Sequence, residues 1–370
     1  MRCPKHLLPK LLVQKHATSS RRSITNKNQK DPVLTEQPMR YIFTDDAPNT
    51  IEEGPAGSIR VLGNAEVPGM ANMSLLLLEL SPGGLAHPVW HVNAAKVGYC
   101  ITGEVVVTIH TPGQTDQFKV QAGEIFFIPS GSIHSIGNHR QSKASIRFAL
   151  SQGQPETLML SASVDATAAD ALRSTFPESD KWVQGLKTAQ TRHLLGMLQA
   201  ALSTEPTSNH RLKFNIDGSD KVINNRGGFL QVGLKINLPT LENGGVLGFG
   251  INPGGAVEPH WHPNSDEIVY ITKGRVAAMV LTPDGTVERS EVGPGGGFYA
   301  PNSYFHSFEQ VGSESVEGVA FFNNPEMVYM GLGEALGAFS DDILRSAFDL
   351  EADAFDGLHK PAGPLVLVPE

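Results

Sequence analysis

Four residues in the second half of the chain have the types and spacing of a metal site. His260 and His262 are separated by one residue, Glu267 follows a polar stretch at 263–266, and His306 comes after the turn Pro301-Asn302-Ser303. Alternate side chains of a strand face the same way, so both imidazoles project together while Trp261 points to the other face. Glu267, opening the next strand, can bring a carboxylate oxygen to the same point, and a barrel would fold the strand of His306 beside the first pair. Three imidazoles with one carboxylate suit Mn(II), Fe(II), Ni(II) or Cu(II), and the absence of thiolate argues against structural zinc. Four protein ligands leave two positions open on an octahedral ion, which implies chemistry or ligand exchange. A His-x-His pair alone is a weak signal; four potential ligands in order carry the reading.

The elements that must position these residues come from an internal repeat. SPGGLAHPVWHVNAAKVGYCITGE from Ser81 aligns with NPGGAVEPHWHPNSDEIVYITKGR from Asn252, placing Trp90 and Trp261 171 residues apart. Further on, IPSGSIH ending at His134 aligns with APNSYFH ending at His306, now 172 apart. One inserted residue, in the turn around Gly113 or Pro283 to Gly285, accounts for the change. Each copy opens with short alternating segments, MSLLLLEL, VGYCITGEVVVTIH and EIFFIP in the first, VLGFGI, EIVYITKGRVAAMVL and GFYAP in the second, and period 2 predicts strands. Each then closes on a helical stretch; in the second copy Ser340 caps a helix that places Ile343, Leu344, Ala347 and Phe348 on one face. The expected organisation is all-β: a basic tail over 1–38, a first barrel over 39–188, a connection over 189–209 and a second barrel over 210–370.

The runs HWHPNSDE and PNSYFH resemble the cupin signature, with Ser303 in place of the usual glycine. The tandem arrangement with a helical end to each copy is similar to the oxalate decarboxylase and germin-like bicupins, over roughly residues 39–370. The resemblance implies two jelly-roll β-barrels, Mn(II) as the metal and chemistry on small carboxylates. The first copy departs from the signature: His91 and His134 match His262 and His306, but Val89 replaces His260 and Lys96 replaces Glu267. Two imidazoles beside a lysine ammonium are a poor cation site. His87 is the one available substitute for the missing histidine.

The decarboxylases of this family also use an arginine near the first metal histidine and a lid glutamate. Here the residue three before His260 is Val257, and the segment FFNNPEMVYM offers Glu326 as its only acid and candidate proton donor. Phe308 shares parity with His306, and Val269 and Ile271 with Glu267, so the pocket wall is expected to be apolar. The expected function is a metal-dependent oxidoreductase or lyase acting on a small oxygenated compound. The alternative is a storage or binding protein of the germin, spherulin and seed-globulin kind, supported by the incomplete first copy.

Composition excludes other classes. A net charge of −9 over 370 residues leaves no electrostatic footprint for nucleic acid, and no apolar run approaches the roughly 20 residues of a membrane span. Cys3 and Cys100 are the only cysteines, so no disulfide framework supports the fold. Eight lysines and arginines precede the first acid, Asp31. Such a segment reads either as an organellar transit peptide or as an unstructured basic tail, which fits a mitochondrial or cytoplasmic location and disfavours export. Partners are then a small-molecule substrate, with room for a homo-oligomer.

Overall fold

The computed structural model describes residues 39–354, save 178, 189–191, 201–204 and 352, together with a short strand at Val366–Leu367. The basic segment over 1–38 lies outside the described residues. Strands form four sheets, two of seven and two of six, and each barrel is one seven-stranded sheet facing one six-stranded sheet. The two barrels repeat the same strand order, as the internal repeat requires. Apolar faces of the sheets interdigitate into one continuous core that includes Phe126, Phe127 and Phe148 in the first barrel and Phe298, Phe321 and Phe322 in the second.

The alternation predicts long single strands at VGYCITGEVVVTIH and EIVYITKGRVAAMVL. The structure breaks each in two, into Lys96–Thr102 and Glu104–Thr111, and into Glu267–Lys273 and Val276–Leu281. The breaks fall at Gly103 and Gly274, with φ of 83° and 74°, where the chain leaves one sheet for the other. A Cβ at either glycine would approach a backbone oxygen to 2.6 Å, so only glycine allows the corner.

The sequence predicts barrels cut from contiguous stretches, and the strand pairing departs from this. Ile42–Phe43 pairs with Gly297–Ala300 in the second barrel, while Lys213–Asn215 pairs with Glu124–Ile128 in the first. Each half of the chain thus opens by lending a strand to the other half. Both exchanges are anchored by carboxylates: Glu288 accepts the backbone N–H groups of Arg40, Tyr41 and Ile42 at 2.9, 3.0 and 2.8 Å, and Glu124 pairs with the Lys213 ammonium at 2.8 Å. The stretch expected to be a plain connection also contributes a strand, Leu195–Met197, beside Gly84–His91.

Short helices follow each barrel, at Leu160–Ala166, Ala169–Thr175 and Asp180–Thr188, and at Leu332–Gly337 and Asp341–Phe348. Ser340 caps the last of these by accepting from the Ile343 N–H. Leu344 is its one buried residue, while Ile343 and Phe348 are exposed. No helix among the described residues is long and apolar enough to cross a membrane.

The exchange generates a test. Phe43 is 1% exposed and belongs to the core through its pairing with the second barrel. Phe43→Ala should cost about 3–5 kcal/mol in urea unfolding. Hydrogen exchange should quicken in strand Gly297–Ala300, more than 250 residues downstream, rather than in the neighbouring strands of the first barrel.

Candidate metal centre

His260 is the next-to-last residue of its strand, Ala256–Trp261, directly opposite His306 of strand Phe305–Gln310; Glu267 opens strand Glu267–Lys273. One ligand atom from each of His260, His262, Glu267 and His306 lies within 4.8 Å of all the others. All four residues are between 1% and 3% exposed.

Each ring is locked by a backbone carbonyl. His260 Nδ1 donates to the Glu258 carbonyl at 2.6 Å, His262 Nδ1 to that of Val328 at 2.9 Å, and His306 Nδ1 to that of Tyr304 at 2.8 Å. These bonds place the proton on Nδ1 and turn each Nε2 lone pair inward. His306 Nε2 and His260 Nε2 then face one another at 3.0 Å. Glu267 Oε2 stands 2.8 Å from His306 Nε2 and 3.2 Å from His262 Nε2. Converging lone pairs and an anion repel unless a cation lies among them.

Electrostatics agree. Burial, followed by the neighbouring His306, holds His260 well below the ordinary imidazole range, so it is neutral. Burial raises the Glu267 carboxyl, and the adjacent His262 and His306 lower it on balance. His262 Nε2 and Glu267 Oε2 are fully buried with no hydrogen-bond partner, a costly condition that a coordinated ion relieves. The residues therefore fit a divalent transition metal.

Residues the sequence did not single out hold the ligands in place. Asp266 accepts from the Tyr299 hydroxyl, the Asn302 N–H and Asn323 Nδ2 at 2.9, 2.6 and 3.0 Å, tying the loop before Glu267 to the turn before His306. In that turn Ser303 takes φ 65° and its N–H donates to the His262 carbonyl. The equivalent Gly131, φ 73°, makes the same bond to His91, so Ser303 bears a left-handed strain that glycine avoids in the first copy. Buried Glu258 accepts from the Tyr329 hydroxyl at 3.0 Å and the Gly333 N–H at 2.8 Å. Tyr329 stacks on His260 with centroids 4.6 Å apart.

A cavity of about 240 Å³ opens onto the cluster. Phe308 lines it as expected, with Val257, Phe249, Phe322, Met327 and Tyr329, whereas Val269 and Ile271 are buried in the core rather than in this wall. Apart from the metal ligands, Tyr329 is the one titratable residue in the lining. Glu326 is not brought to the site. Its side chain is 73% exposed, 3.7 Å from the Lys235 ammonium, because the loop after Phe322 turns Met327 and Tyr329 inward and leaves Glu326 outside.

The first barrel lacks a comparable cluster among the described residues. Val89 lies opposite His134, as His260 lies opposite His306, and Lys96 opens its strand where Glu267 does. His87 does not replace the missing ligand: its Nδ1 is turned to the His193 carbonyl at 2.7 Å.

Burial first, and Lys96 second, lower His91 from 6.5 to about 3. The folded value lies below the unfolded one, so as pH falls through 6.5 the unfolded chain gains a proton that the folded chain refuses. Stability is whole above 6.5 and declines toward 3. Urea titrations of metal-free protein should show this group costing about 2 kcal/mol by pH 5. His91→Phe should flatten the dependence; an unchanged slope would refute a neutral buried imidazole.

Comparison with known proteins supports the same frame. The Cupin family model matches residues 44–179 and 214–354. Oxalate decarboxylase OxdC of Bacillus subtilis (strain 168) is 24% identical over 337 residues, 89% of this chain and 86% of that protein. Germin-like protein subfamily 2 member 2 of Arabidopsis thaliana is 29% identical over 155 residues, 40% of this chain and 71% of that protein. A solved structure of Bacillus subtilis oxalate decarboxylase, described by its Mn(II) centres, superposes with a TM-score of 0.78 at 21% identity, covering 90% and 89% of the two chains. With both halves matched and the ligands of the signature gathered in the second, the chain belongs to the cupin family.

Proposed function

We propose that the second barrel is a metal-dependent enzyme of the oxalate decarboxylase kind, a lyase or oxidoreductase, with Mn(II) held by His260, His262, Glu267 and His306. The observation that carries this reading is the 3.0 Å approach of two Nε2 lone pairs whose Nδ1 atoms are both committed to carbonyls. Hard oxygen donors of substrate suit Mn(II) or Fe(II), and the similarity to oxalate decarboxylases favours the former. Once bound, the ion supplies Lewis-acid polarisation of substrate oxygens at its open positions.

The chain's own residues set the rest. The carbonyl-anchored imidazoles keep the site neutral apart from Glu267, so a carboxylate substrate meets one fixed anion and the charge of the ion. Apolar walls line the cavity and offer no arginine or lysine to a second carboxylate, Val257 standing where such a clamp would be. This favours an uncharged or singly charged oxygenated compound over oxalate. Tyr329, held by Glu258 and kept protonated by burial, packs against His260 as a fixed wall rather than a proton source.

Purified protein should carry about one metal equivalent, by elemental analysis. His262→Ala should lose it with the β fold intact, and His91→Ala should keep it; loss from the latter would contradict the assignment. Oxalate turnover by the metal-loaded enzyme should fall well below that of an oxalate decarboxylase. Glu326→Gln should change turnover only a few fold, because the carboxylate lies outside the cavity. A fall on the order of 100-fold, the usual cost of losing a proton donor, would return that role to the loop. Inertness toward acids, diketones and phenols alike would favour the storage or binding reading, which the germin-like similarity and incomplete first barrel support.

A further inference from the structure

The first barrel retains a cavity of about 70 Å³ where the second holds its ligands. Its walls are mostly aliphatic, with Lys96, His91 and His134 as its buried polar groups. A lysine that merely took the place of an ion would donate to the two imidazoles. It does not: His91 Nε2 and His134 Nε2 are both buried without a hydrogen-bond partner, and the Lys96 nitrogen lies instead over the Phe148 ring, 4.5 Å from its centre. His134 Nδ1 is committed to the Ser132 carbonyl at 2.9 Å, leaving its Nε2 lone pair free. An amine and the His134 Nε2 lone pair thus face one chamber, while His91 Nδ1 pairs with the Thr157 hydroxyl at 3.0 Å.

We infer that this cavity captures a short-chain aldehyde or ketone as an imine on Lys96, with His134 relaying the protons. The amine lone pair adds to the carbonyl carbon, forming the C–N bond as the C=O π bond breaks. A proton passes from nitrogen to the new oxygen by way of His134 Nε2. The second nitrogen proton follows by the same route as the C–O bond breaks, water leaves, and the neutral imine remains; hydrolysis reverses each step. No oxidant or further reactant is needed.

Three features support this chemistry over binding of an anion. Burial lowers Lys96 from 10.5 to about 7, so a large share of the amine is uncharged and nucleophilic at neutral pH. The inward lone pair of His134 repels anions but accepts a proton. At roughly 30 Å³ for each water-sized group, the space suits a molecule of only a few heavy atoms. His87 borders both this cavity and an outer groove of about 500 Å³ formed with Leu160, Val164, Phe176 and Trp182, which places the two side by side.

The test uses the full-length, metal-loaded protein with limiting propanal and cyanoborohydride at pH 7, followed by peptide mass spectrometry. Lys96 should be propylated at least about tenfold faster than the exposed Lys235 and Lys273, as expected for a desolvated amine. His134→Gln should slow labelling at Lys96 by about tenfold or more. Lys96→Arg and Lys96→Met should remove that adduct while leaving metal content unchanged, the readout that the fold is intact. Lys96 labelling no faster than the exposed lysines would overturn the inference, and unchanged labelling in His134→Gln would overturn the role given to that imidazole. Neither result bears on the metal centre of the second barrel.

Discussion

Inside the second barrel, three imidazole lone pairs and one carboxylate are buried at a single point, and much of the local architecture keeps them there. Removing such groups from water costs several kcal/mol each when they are unpaired. That cost is tolerable in one arrangement, with a cation at the centre. Carbonyls of Glu258, Val328 and Tyr304 fix the rings from outside so that no lone pair can turn away. The same bonds that destabilise the metal-free cluster make it a ready site for a metal.

The supports are distributed over the whole second half. Asp266 joins the loops before Glu267 and His306, Ser303 accepts a left-handed backbone to reach the His262 carbonyl, and Met330–Gly331 pairs beside His260 and Trp261. Strand Glu267–Lys273 is in turn flanked by Gly297–Ala300, whose outer edge is covered by Ile42–Phe43 from the opposite end of the chain. The ligand scaffold therefore depends on a strand exchange. The first barrel keeps this scaffold with different chemistry inside: Gly131 removes the strain of Ser303, and Lys96 puts an amine where the second barrel has the Glu267 carboxylate.

The convergence of His260, His262, Glu267 and His306 on one point was legible in the sequence because strand periodicity decides which side chains face together, and because the repeat displayed the intact and altered copies side by side. The tandem barrels and capping Ser340 were legible for similar local reasons. Tertiary decisions were not. Nothing in the short apolar run at Ile42–Phe43 states which barrel it completes, since both copies offer an equivalent edge. Glu258 and Tyr329 escaped notice because their pairing spans 71 residues. Glu326 was singled out as the one acid of its segment, yet the direction in which a loop turns its side chains is set by packing. An Asn264 side chain that bonds the Glu326 carbonyl and the Val328 N–H helps to set it here.

The central claim is that one cation is needed among His260, His262, Glu267 and His306 and at no equivalent place in the first barrel. An anomalous-scattering map from crystals grown with Mn(II) tests it most directly. The account predicts one strong peak bonded to three Nε2 atoms and a Glu267 oxygen, at about 2.0–2.3 Å, and none between His91 and His134. A peak of equal height at Lys96, or an empty second cluster with hydrogen-bonded imidazoles, would contradict it.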